Sequence, residues 1–457
     1  MRSKRPVLGF VPLDDRPVSW EQAVALGRSS GYDILLPPAE VFDRPDALAA
    51  WLERSFAKAT GWVASLDRLA YGGLVASREL REPLSTCLRR LAALSRAKKK
   101  KPAIPLYAFQ AIRRKSVTVS SSADLAAWRK NHKHVDPLPA HRERNHRVNM
   151  EAARLSRRGV IDVLSLLQED STPAGPHKAE QAALRRVLAK PLSTGRAALT
   201  AGTDEGAMVL LSRLMAALEG RRLAVRLRFW PASGAKRISP YEDRPLASTA
   251  KGQAKALGAA LGAGLGRGGF SLWIWCPCRP GGDLCFKPAR TSGQAEARRF
   301  AAALAKALDA GATIAVADTA YANGADPVLL SELSRAKVLP RLAGFAAWNT
   351  AGNAIGTALA LAALARPRPG LLVVRLLDDW GFQAVVRPGL RQWVRERLKA
   401  DEWRLRPAEQ RKAQRELDRR LGGWSRAVLR PLFKDAPISG FSLPWNRLFE
   451  VSIPCPS

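Results

Sequence analysis

One pattern limits what this chain can fold into more than any other. Short apolar, β-rich runs alternate with amphipathic helical stretches over most of its length. The runs are VLGFVPL, YDILLPP, GWVASL, AIPLYAF, IDVLSLL, AALTAG, LAVRLRFW, FSLWIWC, ATIAVAD and LAGFAAW. Helical periods lie between most of them, such as DALAAWLERSFAKA, AEQAALRRVLAK, EGAMVLLSRLMAALEG and QAEARRFAAALAKALDAG. Parallel strands need long crossover connections, and helices supply them, so the alternation predicts a parallel α/β sheet covered by helices. Ten candidate strands in 457 residues suit a (β/α)8 barrel with extra units. Two doubly wound, Rossmann-like open sheets are the alternative. The α/β region is expected over residues 1–365, with an internal boundary near 235. From 366 to 457 the alternation stops and the chain reads as a mainly helical C-terminal region. Residues 120–158, rich in charge and in His132, His134, His141 and His146, read as a helical insertion or lid.

Composition narrows the classes of function. No run of about 18 apolar residues occurs, so no membrane span is expected. The basic N-terminus MRSKRPVLGFVPLDD meets acids too soon for a signal peptide, which makes a cytoplasmic protein the expectation. Five cysteines fit a reducing compartment better than a disulfide framework. Cys276, Cys278 and Cys285 lie close together, but no second paired motif completes a zinc site. The net charge of +34 would suit nucleic acid by counterion release. Yet the basic residues are scattered over nearly every helix, and the one dense run, RAKKKKP at 96–102, falls where a helix should end. No basic stripe alternates with exposed aromatics, so nucleic acid is not expected as a specific partner. The excess charge can still attract anionic substrates.

Ligand sites of parallel α/β folds lie at the carboxyl ends of strands. Seven polar clusters follow predicted strands: DDRP (14–17), DRLAYGG (67–73), QEDSTPAGPH (168–177), TDEG (203–206), YEDRP (241–245), DTAYANGAD (318–326) and WNTAGN (348–353). Six of the seven carry a carboxylate, and all are expected to converge on one pocket. An acid–acid–Arg–Pro order occurs twice, as Asp14-Asp15-Arg16-Pro17 and as Glu242-Asp243-Arg244-Pro245. One carboxylate oxygen is enough to cap a helix, so two acids and an arginine exceed what capping needs. The planar fork of Arg16 or Arg244 can hold a carboxylate bidentately and orient it.

The densest cluster offers Glu169, Asp170, Ser171, Thr172 and His177 around a Pro–Gly turn. Glu169 and Asp170, with Asp14 and Asp15, are the candidate catalytic acids. Adjacent carboxyls cannot both ionise cheaply when buried, which suits a general acid and a base. Candidate substrate-binding residues are Arg16, Asp67, Tyr71, His177, Asp204, Glu205, Glu242, Asp243, Arg244, Asp318, Tyr321, Asn323, Asp326, Trp348, Asn349 and Asn353. No P-loop and no G-x-S-x-G elbow is present, and no cofactor is expected.

The motifs PLDDRPV, LAYGGLVASR, QEDSTPAGPH, YEDRPL, YANGADPVLL and WNTAGNAIGTALA together resemble the bacterial domain-of-unknown-function 4127 family, over roughly residues 12–380. Glu169 stands where that pattern suggests Asp, and Ala347 where it suggests Gly. The resemblance implies a bacterial α/β protein and leaves the activity open. A looser likeness is mechanistic: paired acids at one strand end and a Trp-Asn motif on a later strand are similar to O-GlcNAcase-like glycoside hydrolases. Glu169, Asp170, Trp348 and Asn349 would be the matching positions.

These readings point to a hydrolase, and within that class to a glycosidase using paired carboxylates on a small-molecule or carbohydrate substrate. A divalent-metal-dependent hydrolase is the first alternative, with Asp14, Asp15, Glu169, Asp170, Asp204, Glu205 and Asp318 gathering Mg²⁺ or Mn²⁺. A non-catalytic binder of sugars or nucleic acid is the second.

Overall fold

The computed structural model describes residues 5–79, 81–114, 139–262, 269–277, 281–289 and 293–456. His132, His134, Cys278 and the first part of the expected insertion lie outside the described residues. The alternation produces parallel sheets with helices between the strands, as the sequence predicts, and the strands fall into two main sheets and one two-stranded pair. Strands β1 (Val7–Val11), β2 (Asp33–Leu35), β3 (Gly61–Ser65), β4 (Leu106–Ile112), β5 (Val163–Gln168) and β6 (Ala197–Ala201) form the first sheet, in the order β2-β1-β3-β4-β5-β6. All its pairings are parallel. Then come β7 (Ala224–Trp230), β8 (Ala260–Leu261), β9 (Gly269–Trp275), β10 (Gly282–Asp283), β11 (Ile314–Asp318), β12 (Tyr321–Ala322) and β13 (Gly344–Ala346). The second sheet has the order β13-β11-β9-β7-β8, and β10 pairs with β12 apart from it.

The described chain divides into two compact units. One comprises residues up to 114, 139–222 and 251–260; the other comprises 223–250 and 261–456. In the first unit, β3 to β6 are buried along their whole length. Burial on both faces explains why they read as continuous apolar runs rather than alternating ones. One face carries Trp62, Leu106, Ala108, Ile112, Leu164 and Leu166 against Leu52, Leu91, Leu94, Val148, Ala152 and Leu184 of four helices. The other face is covered by the helix Gly206–Leu218, whose first residue closes on Phe109 and Leu167. Gly9 is required where β1 runs beside β3, because a Cβ there would lie 2.2 Å from the ring of its partner Trp62.

The second unit repeats the plan. Trp273, Trp275, Ile314, Val316 and Phe345 face a core shared with Phe300, Leu329 and Leu333. Leu376, Leu377, Trp380, Leu417 and Leu421 belong to that same core, so the helical segment after residue 366 packs with this sheet. The wholly buried helix Ala351–Ala362 contacts β9, β11 and β13 from the other face. In both sheets the second strand in sequence lies on one side of the first, and the later strands step outward on the other. Each sheet therefore has a topological switch point at its first strand, the position where open α/β sheets in general bind their ligands. Both acid–acid–Arg–Pro motifs occur at this equivalent place, between the first strand of a sheet and the helix that follows it.

Candidate functional site

In the first unit, the loop after β1 turns the Arg16 guanidinium onto two buried acids. Its Nε and Nη2 donate to Asp14 Oδ2 at 3.0 and 2.8 Å. Its Nη2 and Nη1 donate to Asp204 Oδ1 and Oδ2 at 2.7 and 3.3 Å. DDRP and TDEG are thereby joined, although 188 residues separate the partners. Asp15, the other acid of the motif, is exposed. Glu205 is fully enclosed, bonded to the Thr203 amide and the Gln253 side chain, and burial pushes its carboxyl up to about 8.

The loop after β3 lies against the loop after β1. Ser65 Oγ caps the short helix Leu66–Tyr71 by accepting the Arg68 amide at 3.2 Å. Gly73, at φ 129°, brings its backbone so close that a Cβ would sit 3.2 Å from the Leu13 carbonyl. Arg68 lies in the field of both Asp14 and Asp15. Asp67 is fully buried; desolvation, with repulsion from Glu169, pushes it up to about 7. Tyr71 is also buried, with the Arg144 guanidinium 4.9 Å over its ring. A substrate-contacting role for Asp67 does not fit its complete burial.

The loop after β5 carries the acid pair. Glu169 is buried, and its two oxygens accept from Arg78 Nη2 and, at 3.1 Å, from the Arg114 amide. Arg114 also reaches Asp170, Nη1 to Oδ2 at 2.8 Å. Burial drives the Glu169 carboxyl upward, but the charges of Arg78 and Arg114 outweigh it and hold Glu169 below the ordinary carboxylate range. Asp170 moves the other way: burial, reinforced by the Glu169 charge, raises it despite Arg114. Its side chain remains 30% accessible. His177 is buried at the start of the helix His177–Val187, beside Gly175.

In the second unit, YEDRP, DTAYANGAD and WNTAGN are linked by hydrogen bonds. Arg244 grips its neighbour Asp243, Nε to Oδ1 at 2.5 Å and Nη2 to Oδ2 at 3.0 Å. Glu242 is buried between the Thr249 hydroxyl and the Gly352 amide, and desolvation pushes it up to about 7. Tyr241 Oη donates to Asp283 Oδ2 at 2.6 Å, and Asn323 Nδ2 donates to Asp283 Oδ1 at 3.0 Å. The Asn323 amide donates to the Asn349 carbonyl at 2.8 Å. Tyr241, Asn323 and Asn349 all hold positive φ, 65°, 60° and 56°. This left-handed backbone is costly for a residue with a Cβ, and such strain gathers at functional loops.

The remaining candidates of this unit are built into the scaffold. Asp318 accepts the Ala320 and Asp326 amides at 2.9 and 2.6 Å. Asp326 caps the helix Pro327–Arg335 and accepts the Trp275 indole N–H at 3.1 Å. Burial and the Asp326 charge raise Asp318 well above its ordinary value. Trp348 is buried with its ring edge-on to Phe449, Tyr321 is buried, and Asn353 donates to Thr350 Oγ1 at 3.1 Å.

Several contributors escape a reading of strand ends. Arg78 and Arg114 carry no motif of their own. Asp283 follows a Gly-Gly turn after β9, which the sequence alone marks only as a turn. Asp378 and Asp379 lie in an 11-residue π-helix, Leu376–Val386, both paired with the buried Arg375. Asp379 also accepts the Ala347 amide at 2.6 Å. A signal for that pair exists: LLDDWG, like PLDDRP, places two acids at the end of an apolar run. Among the described residues, no group of three or more His, Cys, Asp or Glu side chains is arranged to hold a metal ion.

Two parallel α/β units, each with an acid and arginine cluster beyond its strand ends, define the class of protein. The family model described as protein of unknown function (DUF4127) matches residues 8–138 and 133–454, and the chain belongs to that family. No curated protein matches the sequence. No helix among the described residues is long and apolar enough to cross a membrane.

Proposed function

We propose that the protein is a cytoplasmic bacterial hydrolase that cleaves glycosidic bonds in a small hydroxylated substrate, with Glu169 and Asp170 as its working carboxylates. One observation carries this reading: two adjacent acids at the end of β5, a strand paired on both sides, are driven in opposite directions, Glu169 toward the anion and Asp170 toward the acid. Pairs of titratable groups whose environments separate their protonation are how acid and base roles are assigned. Asp170, accessible and inclined to hold a proton, gives that proton to the leaving oxygen as the glycosidic C–O bond breaks, and then takes a proton back from the water that adds to the anomeric carbon. Glu169, kept ionised by Arg78 and Arg114, places negative charge beside the developing oxocarbenium carbon. Arg16 fixes Asp14 and Asp204 beyond the switch point of the same unit, and Asp15 is left accessible for a substrate hydroxyl.

The test is a screen of the purified protein against chromogenic glycosides, with and without divalent metal. Turnover that survives a chelator and falls in Asp170→Asn and Glu169→Gln is the expected result. Turnover only with Mg²⁺ or Mn²⁺ would favour the metal-dependent alternative. Wild-type rates in both variants would remove the pair from the mechanism.

A further inference from the structure

The second unit holds an open cleft beside β7. That strand pairs with β9 along its length, Arg228 opposite Trp273 and Trp230 opposite Trp275. On its other side β8 is only two residues long, and the amide that follows it, Gly262, reaches β7 at Val225. From Arg226 onward β7 has no strand on that side among the described residues. Alternation puts Arg226, Arg228 and Trp230 on the face that bears Trp273 and Trp275. The helix Gln294–Asp309 covers these two inner tryptophans through Phe300, with ring centroids 5.9 and 5.1 Å apart. That helix and the outer part of β7 together line a cleft of about 550 Å³, with Arg228, Trp230, Pro231, Trp273, Glu296 and Arg299 in its walls. Small-molecule sites span roughly 300–1,000 Å³.

The lining is aromatic and unevenly charged. Trp230 stacks on Trp273, with centroids 6.3 Å apart and planes at 24°. Trp273 is buried, but Trp230 is only partly so and offers indole surface to the cleft. The Arg228 guanidinium lies 5.1 Å from the Trp273 ring. Arg299 and Glu296 are one turn apart on the helix. Among the described residues, Arg228, Arg299 and Glu296 form no hydrogen bond or ion pair. Two guanidiniums and one carboxylate thus border an indole surface with no partner of their own.

We propose that this cleft binds a nucleoside monophosphate, with the base against Trp230, the phosphate held by Arg228 and Arg299, and Glu296 accepting from a ribose hydroxyl or a base amino group. Stacking on an indole suits any base, because each has a π-face. The guanidinium fork matches phosphate oxygens. A phosphate monoester carries between roughly −1.5 and −2 at neutral pH, which answers both arginines. A zwitterionic aromatic amino acid would leave one of them unmatched, and a sugar phosphate has no flat ring to stack. The site belongs to the second unit and does not depend on the role given to Glu169 and Asp170.

Isothermal titration of the full-length protein with AMP in low-salt buffer tests this. AMP should bind with one-to-one stoichiometry, and adenosine and inorganic phosphate should each bind at least about tenfold more weakly. Arg228→Gln and Arg299→Gln should each weaken AMP by about tenfold. Trp230→Leu should weaken AMP while leaving inorganic phosphate unchanged. Lys101→Gln, exposed in the first unit, should leave AMP binding unaltered and so serves as the control for net charge. Arg299 is exposed on its helix, so its variant remains decisive if Trp230→Leu fails to fold. Absent AMP binding, phosphate binding as tight as AMP, or an equal loss in Lys101→Gln would reduce the cleft to a general attraction of anions and overturn the proposal. AMP affinity unchanged in both arginine variants would overturn it as well, and so would tryptophan binding more tightly than AMP.

Discussion

The two units answer the same sequence signature with different chemistry. In the first, Arg16 spans two buried acids, and Arg78 with Arg114 surrounds the Glu169–Asp170 pair. In the second, Glu242, Asp318 and Asp326 are hydrogen-bonded by backbone amides, a hydroxyl and an indole. A cation nearby stabilises the carboxylate ion, whereas neutral donors only partly repay its lost hydration. Glu169 is accordingly held low, and Glu242, Asp318 and Asp326 drift upward. Consecutive acids after an apolar run thus mark a strand end, but their protonation depends on what the fold places against them.

The largest break in this comparison should come from Arg16. Arg16→Met leaves Asp14 and Asp204 buried without their shared cation, and a loss of about 3–5 kcal/mol in urea unfolding is expected. Arg244→Met should cost less, because the acid it grips, Asp243, is its sequence neighbour and 12% of the Arg244 side chain is accessible. Equal losses at both positions would erase the distinction between a bridge and a local pair.

Next comes turnover. Glu169→Gln and Asp170→Asn should each lower it by a factor of about 100 or more; the unfolding midpoint should stay close to wild type in Asp170→Asn and fall in Glu169→Gln, which removes the buried anion that Arg78 holds. In the other unit, Asp318→Asn should instead act on stability, costing about 1–3 kcal/mol, because the N–H₂ that replaces one oxygen cannot accept, and one of the Ala320 and Asp326 amides loses its acceptor. If Asp318→Asn folds as well as wild type, its bonds are not the staple they are taken to be.

A pH series sharpens the contrast further. The folded-state value of Glu242 is raised from 4.5 to about 7, so the folded protein keeps a proton that the unfolded chain has already released. Its contribution is full below the unfolded value and is lost as pH rises toward about 7, by roughly 2–3 kcal/mol. Glu169, depressed on folding, has the opposite sign: its stabilisation is present above the ordinary carboxylate range and is lost as pH falls through its folded value. Denaturant unfolding from pH 4 to 8 should therefore show a decline that Glu242→Gln flattens; an unchanged slope would place the proton elsewhere. The smallest effect is expected at Asp15, exposed beside the Arg16 bridge, where Asp15→Asn should change stability by less than about 0.5 kcal/mol.

The sequence by itself determined the class of fold and the placement of polar residues beyond strand ends. All ten apolar runs contain a strand of the parallel sheets, because burial on both faces leaves a local, continuous signature. Polar clusters follow these strands for an equally local reason: the chain must turn there, and capping and turn residues are written beside each other in sequence. The distribution of strands over the sheets was not local, since strand order is fixed by pairings such as β1 with β3, which the intervening strand and helices conceal. Nor could neighbouring letters reveal that Arg16 reaches Asp204, that Arg78 reaches Glu169, or that Asp67 is sealed from solvent. Those facts depend on desolvation and on charges brought together from distant parts of the chain. Tertiary structure therefore decided which of many similar acids is an ion, which keeps a proton, and which only ties one loop to another.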